Sequence, residues 1–267
     1  MKRREDYEPG VCPDGVLCLV AGIDTQGDWL DVNVWGYGRG EEAWLIWTEQ
    51  LRGDPAMPEV WAQLDQVLQT EWSCANGKSL KIAQMAVDCG GHYHHQVVMY
   101  ARDRKAQGVI AVKGSSRRDQ PVINRGAKVD ITYKGRTVKN SGFLYQVGTD
   151  TVKTTIYGRL RHNEPGPGYL HFGLAADENF FAELTAERQQ IKTVRGFQVK
   201  EWVKKSGDRS EKLDGCVYAY AALQLMLRRY DRRTVWDQLE AKLSGEKGQL
   251  KSRKAASSQA SSFISNW

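Results

Sequence analysis

Two apolar runs that each stop on an acid constrain this chain most. Val16–Ile23 (VLCLVAGI) is almost wholly apolar and is followed by Asp24, and residues 80–88 (LKIAQMAVD) close on Asp88. Short apolar runs rich in β-branched residues read as central strands, buried on both faces. A carboxylate ending such a strand is costly unless a cation or a hydrogen-bond network compensates it. Strand neighbours lie about 4.8 Å apart, so acids at adjacent strand ends can share one ion.

The segments between these runs set the fold class. Leu30, Val32 and Val34 alternate with Asp31 and Asn33, which predicts a half-exposed strand after a turn at Gly27–Asp28. A third apolar run spans Ala43–Trp47 after the glycine-rich Gly36–Gly40, so three short-linked strands form an antiparallel meander. Val60, Trp61, Leu64, Val67, Leu68 and Trp72 then take helical spacing. After the strand ending at Asp88 come a helix at His94–Ala106 and a strand, VIAVK, from Val109. The order β-β-β-α-β-α-β predicts an α/β fold with a mixed sheet, a meander plus parallel strands, flanked by helices. Residues 115–147 read as a basic β-hairpin-like excursion. A helix is expected from Asp177 to Ile191. A final strong helix begins near Ser210, capped by Asp208 or Ser210, and carries Leu213, Val217, Ala221 and Leu225. Asp214 lies on that otherwise apolar helix and is the third candidate acid. The expected organisation is a linker at 1–15, one domain at 16–231, and a helix end with a disordered tail at 232–267. Phe263, Ile264 and Trp267 are apolar exceptions in that tail and make docking on a partner plausible.

Three carboxylates, two on strand ends and one on a packing helix, form an all-oxygen set suited to Mg²⁺ or Mn²⁺. Two such ions could activate a water and stabilise the leaving oxygen in phosphodiester cleavage. For any one of these acids a turn or capping role is the ordinary alternative. Charge points the same way: 38 Lys and Arg against 32 Asp and Glu give +6, with a pI near 9.0, which favours a polyanionic partner. Lys113, Arg117, Arg118, Lys128, Lys134, Arg136 and Lys153 are the candidate DNA contacts, binding the backbone without reading sequence. A solvated lysine is the alternative for Lys113 and Lys153. His92, Asp28 and Asp150 are possible accessory groups, with surface turns the alternative for the two acids. His94 and His95 fall beside His92, and Cys89 with His92 could begin a zinc site, but no second pair completes it. The five cysteines lack a Cys-x-x-Cys pair and read as reduced thiols. No apolar stretch reaches a membrane span, and the start lacks a signal core, so neither a membrane nor a secreted protein is expected.

The blocks AGIDTQGDWLDVNVWGYG, AVDCGGHYHHQVVMYAR, VIAVKGSS, GRLRHNEPGPGYLHF, FFAELTAER and EKLDGCVYAYAALQ, in this order, resemble the nuclease domain of tailed-phage terminase large subunits of the lambda-like packaging family. The resemblance runs from about Leu17 to Leu227. It implies a ribonuclease H-like fold and maps the family's metal-binding acids onto Asp24, Asp88 and Asp214. Related terminases often carry Glu at the second position, so metal preference is open. The resemblance implies an endonuclease that cuts double-stranded DNA during genome packaging, in the cytoplasm of the infected bacterium. Its implied partners are duplex DNA, an ATPase motor domain, the small terminase subunit and the portal. The motor is missing here: near Gly77-Lys78-Ser79, the glycine a phosphate loop needs five positions earlier is Trp72. A C-terminal domain separated from its motor is therefore expected, with a separately encoded nuclease as the alternative. Two other readings compete, a non-cleaving basic DNA clamp and a resolvase-like ribonuclease H-fold nuclease.

Overall fold

The computed structural model describes residues 3–133, 135–194 and 196–245, with the backbone alone for Tyr133 and Val194. Lys134 and the apolar tail end lie outside the described residues. The chain runs β1 (Val11–Cys12), β2 (Cys18–Thr25), β3 (Trp29–Tyr37), β4 (Ala43–Arg52), α1 (Pro58–Gln69), β5 (Trp72–Cys74), β6 (Ser79–Leu80), β7 (Ile82–Asp88), α2 (His94–Asp103), β8 (Val109–Gly114), β9 (Ala127–Tyr133) and β10 (Arg136–Val147). It continues through α3 (Thr149–Arg159), β11 (Leu170–Phe172), α4 (Glu178–Leu184), β12 (Glu187–Val194), β13 (Phe197–Lys204), α5 (Glu211–Leu227) and α6 (Val235–Ser244).

The main sheet has the order β11-β4-β3-β2-β7-β8-β10-β9. β2, β3 and β4 form the expected antiparallel meander, and β2, β7, β8 and β10 run parallel. The segment β2-β3-β4-α1-β7-α2-β8 thus has the ribonuclease H-like order and topology. Strand alternation splits the core into two layers. Val20, Ala86 and Val112 face α5 together with Leu213, Val217 and Leu223. Leu19, Ile23, Met85 and Val87 face α1 and α2, where Val60, Leu64 and Val97 meet them.

Several expectations need correction. Residues 1–15 are not a loose linker where described. The Arg3 guanidinium donates to the Leu160 carbonyl (2.7 Å), the Glu5 amide to that of Phe172 (2.7 Å), and the Tyr7 hydroxyl to that of Leu45 (3.1 Å). The segment finds partners for its charges, and β1 pairs with β5. The helix expected to Ile191 ends at Leu184. Asp177 caps it by accepting from the Phe180 amide (2.7 Å), but Glu187–Val194 pairs residue for residue with Phe197–Lys204. Gly196, at φ +83°, permits that tight turn, so a hairpin wins over helical propensity. The 232–267 segment is more than a helix end, because α6 is a separate helix whose Val235 and Leu239 are buried. Finally, β3 is covered on both faces: Asp31 and Asn33 are fully buried because α5 packs over them.

Candidate active site

Register and alternation bring the first two acids together. Ile23 pairs with Val87, so Asp24 and Asp88 are the next residues at the carboxyl ends of adjacent parallel strands. Both share the parity of Val20 and Ala86 and so face α5. The carboxyl edge of parallel strands is where α/β sheets bind ligands. Thr25 Oγ1 donates to the Asp88 carbonyl (2.8 Å), tying the two strand ends.

Two glycines bring the third acid in. A Cβ on Gly22 would lie 2.0 Å from the Gly215 carbonyl oxygen and 2.4 Å from the Ala219 nitrogen. A Cβ on Gly215 would lie 2.0 Å from Asn33 Nδ2. Only bare backbone allows α5 to lie this close to β2 and β3, and the approach sets Asp214, one residue before Gly215, against the strand ends. Ser210 is the residue before α5, as expected, but its hydroxyl bonds Asp214 Oδ2 (3.3 Å) rather than capping a backbone amide.

The three carboxylates share an electrostatic environment. Burial, then the negative charges of Asp214 and Asp88, hold Asp24 well above the usual carboxylate range, against a hydrogen bond from Gln26 (2.6 Å). Burial also raises Asp88, opposed by the Gly90 amide on Oδ2 (2.9 Å) and by the nearby Tyr218 hydroxyl. Its other oxygen, Oδ1, is buried without a formed hydrogen bond. Burial raises Asp214 as well, with Lys153 pulling the other way. Among the described residues no group of three or more His, Cys, Asp or Glu forms a ready ion cage. Both oxygens of Asp214 are engaged, Oδ1 by Lys153 (3.3 Å) and Oδ2 by Ser210. A buried Asp88 oxygen with no fully formed hydrogen bond, beside two further carboxylates, nevertheless fits a hard divalent cation, which would engage Oδ1 and relieve the mutual repulsion.

These shifts have a sign. Folded Asp24, Asp88 and Asp214 retain protons that the unfolded chain releases near its ordinary Asp pKa of about 3.9. In the absence of metal, their contribution to stability is full below that value and is lost as pH rises through the raised values. Thermal unfolding in EDTA is therefore expected to show wild type losing more stability than Asp24→Asn between about pH 5 and about pH 8. Equal losses would contradict the shared burial of charge.

The other candidates scatter. Lys113 is the next-to-last residue of β8, is exposed, and lies near enough to Asp88 to favour its charged form. Arg117 and Arg118 are exposed in the loop that follows. Lys128 and Arg136 are exposed but differ in place: Lys128 pairs with Phe143, two residues along from the Tyr145–Val112–Asp88 level and three strands to the side, whereas β10 runs parallel to β8, with Val147 beside Gly114, so Arg136 begins β10 roughly 35 Å before that edge at ~3.3 Å per residue. Only the tip of the basic hairpin overhangs the opposite edge of the sheet. Lys153 is corrected most. Its side chain is only 11% exposed and bridges Glu187 (2.8 Å) and Asp214, so it orients an acid instead of presenting itself to DNA. Burial alone would lower its pKa, but the two carboxylates outweigh burial and raise it. His92 is exposed after β7, Asp28 is exposed in the β2–β3 turn, and Asp150 is half-buried in the first turn of α3.

The sequence reading missed Glu187 and the pair Asp31–Lys212. Lys212 Nζ donates to Asp31 (3.0 Å) and to Thr48 Oγ1 (2.9 Å), and Asn33 also donates to Asp31 (3.0 Å). Asp31 lies directly across from Asp24 in the β2–β3 register, so this pair pins the start of α5 to the strand beside the site. The available signal was Lys212 two residues before Asp214.

The sheet order, with three carboxylates gathered at its parallel-strand ends, defines a ribonuclease H-like domain. The sequence matches the family described as "Terminase large subunit gpA, endonuclease domain" over residues 1–237, and the chain belongs to that family. It is 35% identical over 238 residues to the terminase large subunit of Escherichia phage lambda, covering 86% of this chain and 35% of that protein. It is 30% identical over 256 residues to the terminase large subunit of Enterobacteria phage P21, covering 87% of this chain and 38% of that protein. The chain thus spans little more than a third of either relative. Among solved structures, a mutant nuclease domain of the large terminase subunit gp2 of bacterial virus Sf6, with manganese, aligns at a TM-score of 0.41 and 14% identity, over 79% of this chain and 88% of that one. No helix among the described residues is long and apolar enough to cross a membrane.

Proposed function

We propose that this domain is a metal-dependent endonuclease that cuts double-stranded DNA during phage genome packaging, in the cytoplasm of the infected host. The observation that carries the reading is the gathering of three buried, mutually repelling carboxylates, Asp24, Asp88 and Asp214, where the ends of β2 and β7 meet α5. Asp24, Asp88 and Asp214 would hold one or two Mg²⁺ or Mn²⁺ ions. Bound there, the metal supplies Lewis-acid stabilisation of the charge that builds on the phosphoryl and leaving oxygens and lowers the pKa of the attacking water. Gly90 and Gln26 fix the Asp88 and Asp24 carboxylates, and Lys153, backed by Glu187, fixes Asp214. Lys113, next to last in β8, offers a cation to a phosphate beside Asp88. The expected products carry 3′-hydroxyl and 5′-phosphate ends. An ATPase motor domain, the small terminase subunit and the portal are the partners that would deliver the duplex.

Incubating supercoiled plasmid with Mn²⁺ or Mg²⁺ tests this. Wild type is expected to nick and linearise it, whereas Asp88→Ala and Asp214→Ala leave it supercoiled. Equal cutting by all three would show that the three-acid site is wrong. Binding without cutting by all three would favour a DNA clamp.

A further inference from the structure

The tip of the basic hairpin, around Arg136, overhangs the edge of the sheet opposite the acids. Another basic feature stands at the catalytic edge itself. Trp29 begins β3, and its ring has two guanidiniums over it: the Arg52 Cζ lies 5.2 Å and the Arg209 Cζ 4.8 Å from the ring centroid. Arg52 ends β4 and pairs with Trp29 in register, while Arg209 belongs to the loop before α5. Trp29 has the parity of Asp31, which lies across from Asp24, so the stack faces the same side of the sheet as the acids, about 7 Å beyond Asp31 along the strand.

We propose that the Arg52–Trp29–Arg209 stack is a phosphate-binding subsite that seats the DNA backbone beside the three acids; this rests on the nuclease reading above. Stacking on an indole orders a guanidinium while leaving its edge donors available to an anion. The donors here are largely uncommitted. Arg52 spends one terminal nitrogen on Gln50 (3.0 Å) and, among the described residues, makes no ion pair. Arg209 pairs through Nε with Glu211 (3.1 Å) and more distantly with Glu183, and its terminal nitrogens form no bond with a described residue. Across the edge, Lys113, next to last in β8, lies four strand spacings from β4, about 19 Å away at ~4.8 Å each; alternation starts its side chain from the α1–α2 face, near enough to Asp88 for its charge to act there. Cations at both ends of that span can meet the two backbones that border a DNA major groove, about 12 Å wide, with the acids between them. A duplex laid across the strand ends would then be held on both sides of the site.

The test is anisotropy of a short fluorescent duplex titrated with the whole domain in EDTA, where no cutting occurs, over a series of KCl concentrations. Each lost phosphate contact should reduce the slope of log affinity against log salt by about 0.9. Arg52→Ala is expected to lose about one such unit, Arg52→Ala with Arg209→Ala about two, and Arg52→Lys to recover most of the slope. Arg136→Ala with Lys139→Ala, at the remote hairpin, should leave it unchanged. Arg52 is exposed and outside any described ion pair, so its replacement reports on binding without a folding defect. Wild type that binds and nicks DNA while Arg52→Ala keeps the full slope would overturn the subsite and leave the nuclease reading standing. Loss of slope in the hairpin variant alone would also overturn the subsite. Wild type with no salt-dependent binding would overturn both.

Discussion

Asp88→Asn is expected to abolish DNA cleavage while leaving the domain folded and its metal-free DNA affinity intact or slightly higher. The substitution keeps the shape, and the amide oxygen still accepts the Gly90 N–H that holds Oδ2. What disappears is the charge that a divalent ion needs. Charge stabilisation by a bound metal is worth several kcal/mol, and each ~1.4 kcal/mol is tenfold in rate, so a fall of about a thousandfold or more is expected. Stability should move the opposite way. A neutral side chain relieves burial of the charge and its repulsion with Asp214, so the melting temperature in EDTA at about pH 8 should hold or rise by a few degrees. Adding Mn²⁺ should then stabilise wild type, by about 2.7 kcal/mol at a hundredfold excess over Kd, and do little for the variant. A variant that is inactive because it is unfolded would fail both the melting and the DNA-binding measurements.

Gly22→Ala is expected to have the second-largest effect, although glycine to alanine in a strand would normally be harmless or favourable. The added Cβ meets backbone atoms of α5 at 2.0 and 2.4 Å, and neither can swing aside as a side chain would. The helix must move by about an ångström, and overpacking of this kind costs about 1–3 kcal/mol, or several degrees in melting temperature. Because Asp214 rides on the same helix turn, it moves away from Asp24 as well. A misplacement of about 1 Å can cost a hundredfold in rate, so activity should fall well below what the lost stability explains. Gly27→Ala is the control: nothing lies within 4 Å of its Cβ, and both melting temperature and cleavage should stay at wild-type values. An unchanged Gly22→Ala would mean that the close approach of α5 to β2 does not set the site.

The sequence revealed the acids that end strands because burial and charge conflict there: an apolar run that stops on Asp24 or Asp88 is visible without any contact map. The meander and the crossover helices were visible for the same reason, as changes of hydrophobic period. Position across the fold was not. The basic stretch from Lys128 to Arg136 reads as one DNA contact by composition alone, whereas the direction of β10 sends its tip at Arg136 to the far edge and leaves Lys128 three strands to the side of Asp88. Lys153 read as an exposed cation because its partner, Glu187, was assigned to the wrong element. The run Asp177–Ile191 has helical apolar spacing at Phe180, Leu184 and Ile191, and the cross-strand pairing that overrides it after Leu184 is non-local. Asp31 and Asn33 looked like the wet side of a half-exposed strand until α5 covered them, and the glycines that permit this cover are plain only from the helix–strand distance. The Arg52–Trp29–Arg209 stack joins residues far apart in sequence and left no local pattern to read.

The central claim is that Asp24, Asp88 and Asp214 jointly hold the ion that cuts. Crystals of the domain soaked in Mn²⁺, at a concentration that supports plasmid cleavage, test it through anomalous scattering. The expected result is a manganese peak within direct coordination distance, about 2–2.3 Å, of Asp24 and Asp88 oxygens, including the orphaned Oδ1, with Asp214 released from Lys153 toward the ion or its water shell. No peak between these carboxylates, or a peak bound elsewhere by a domain that still cleaves, would contradict the account.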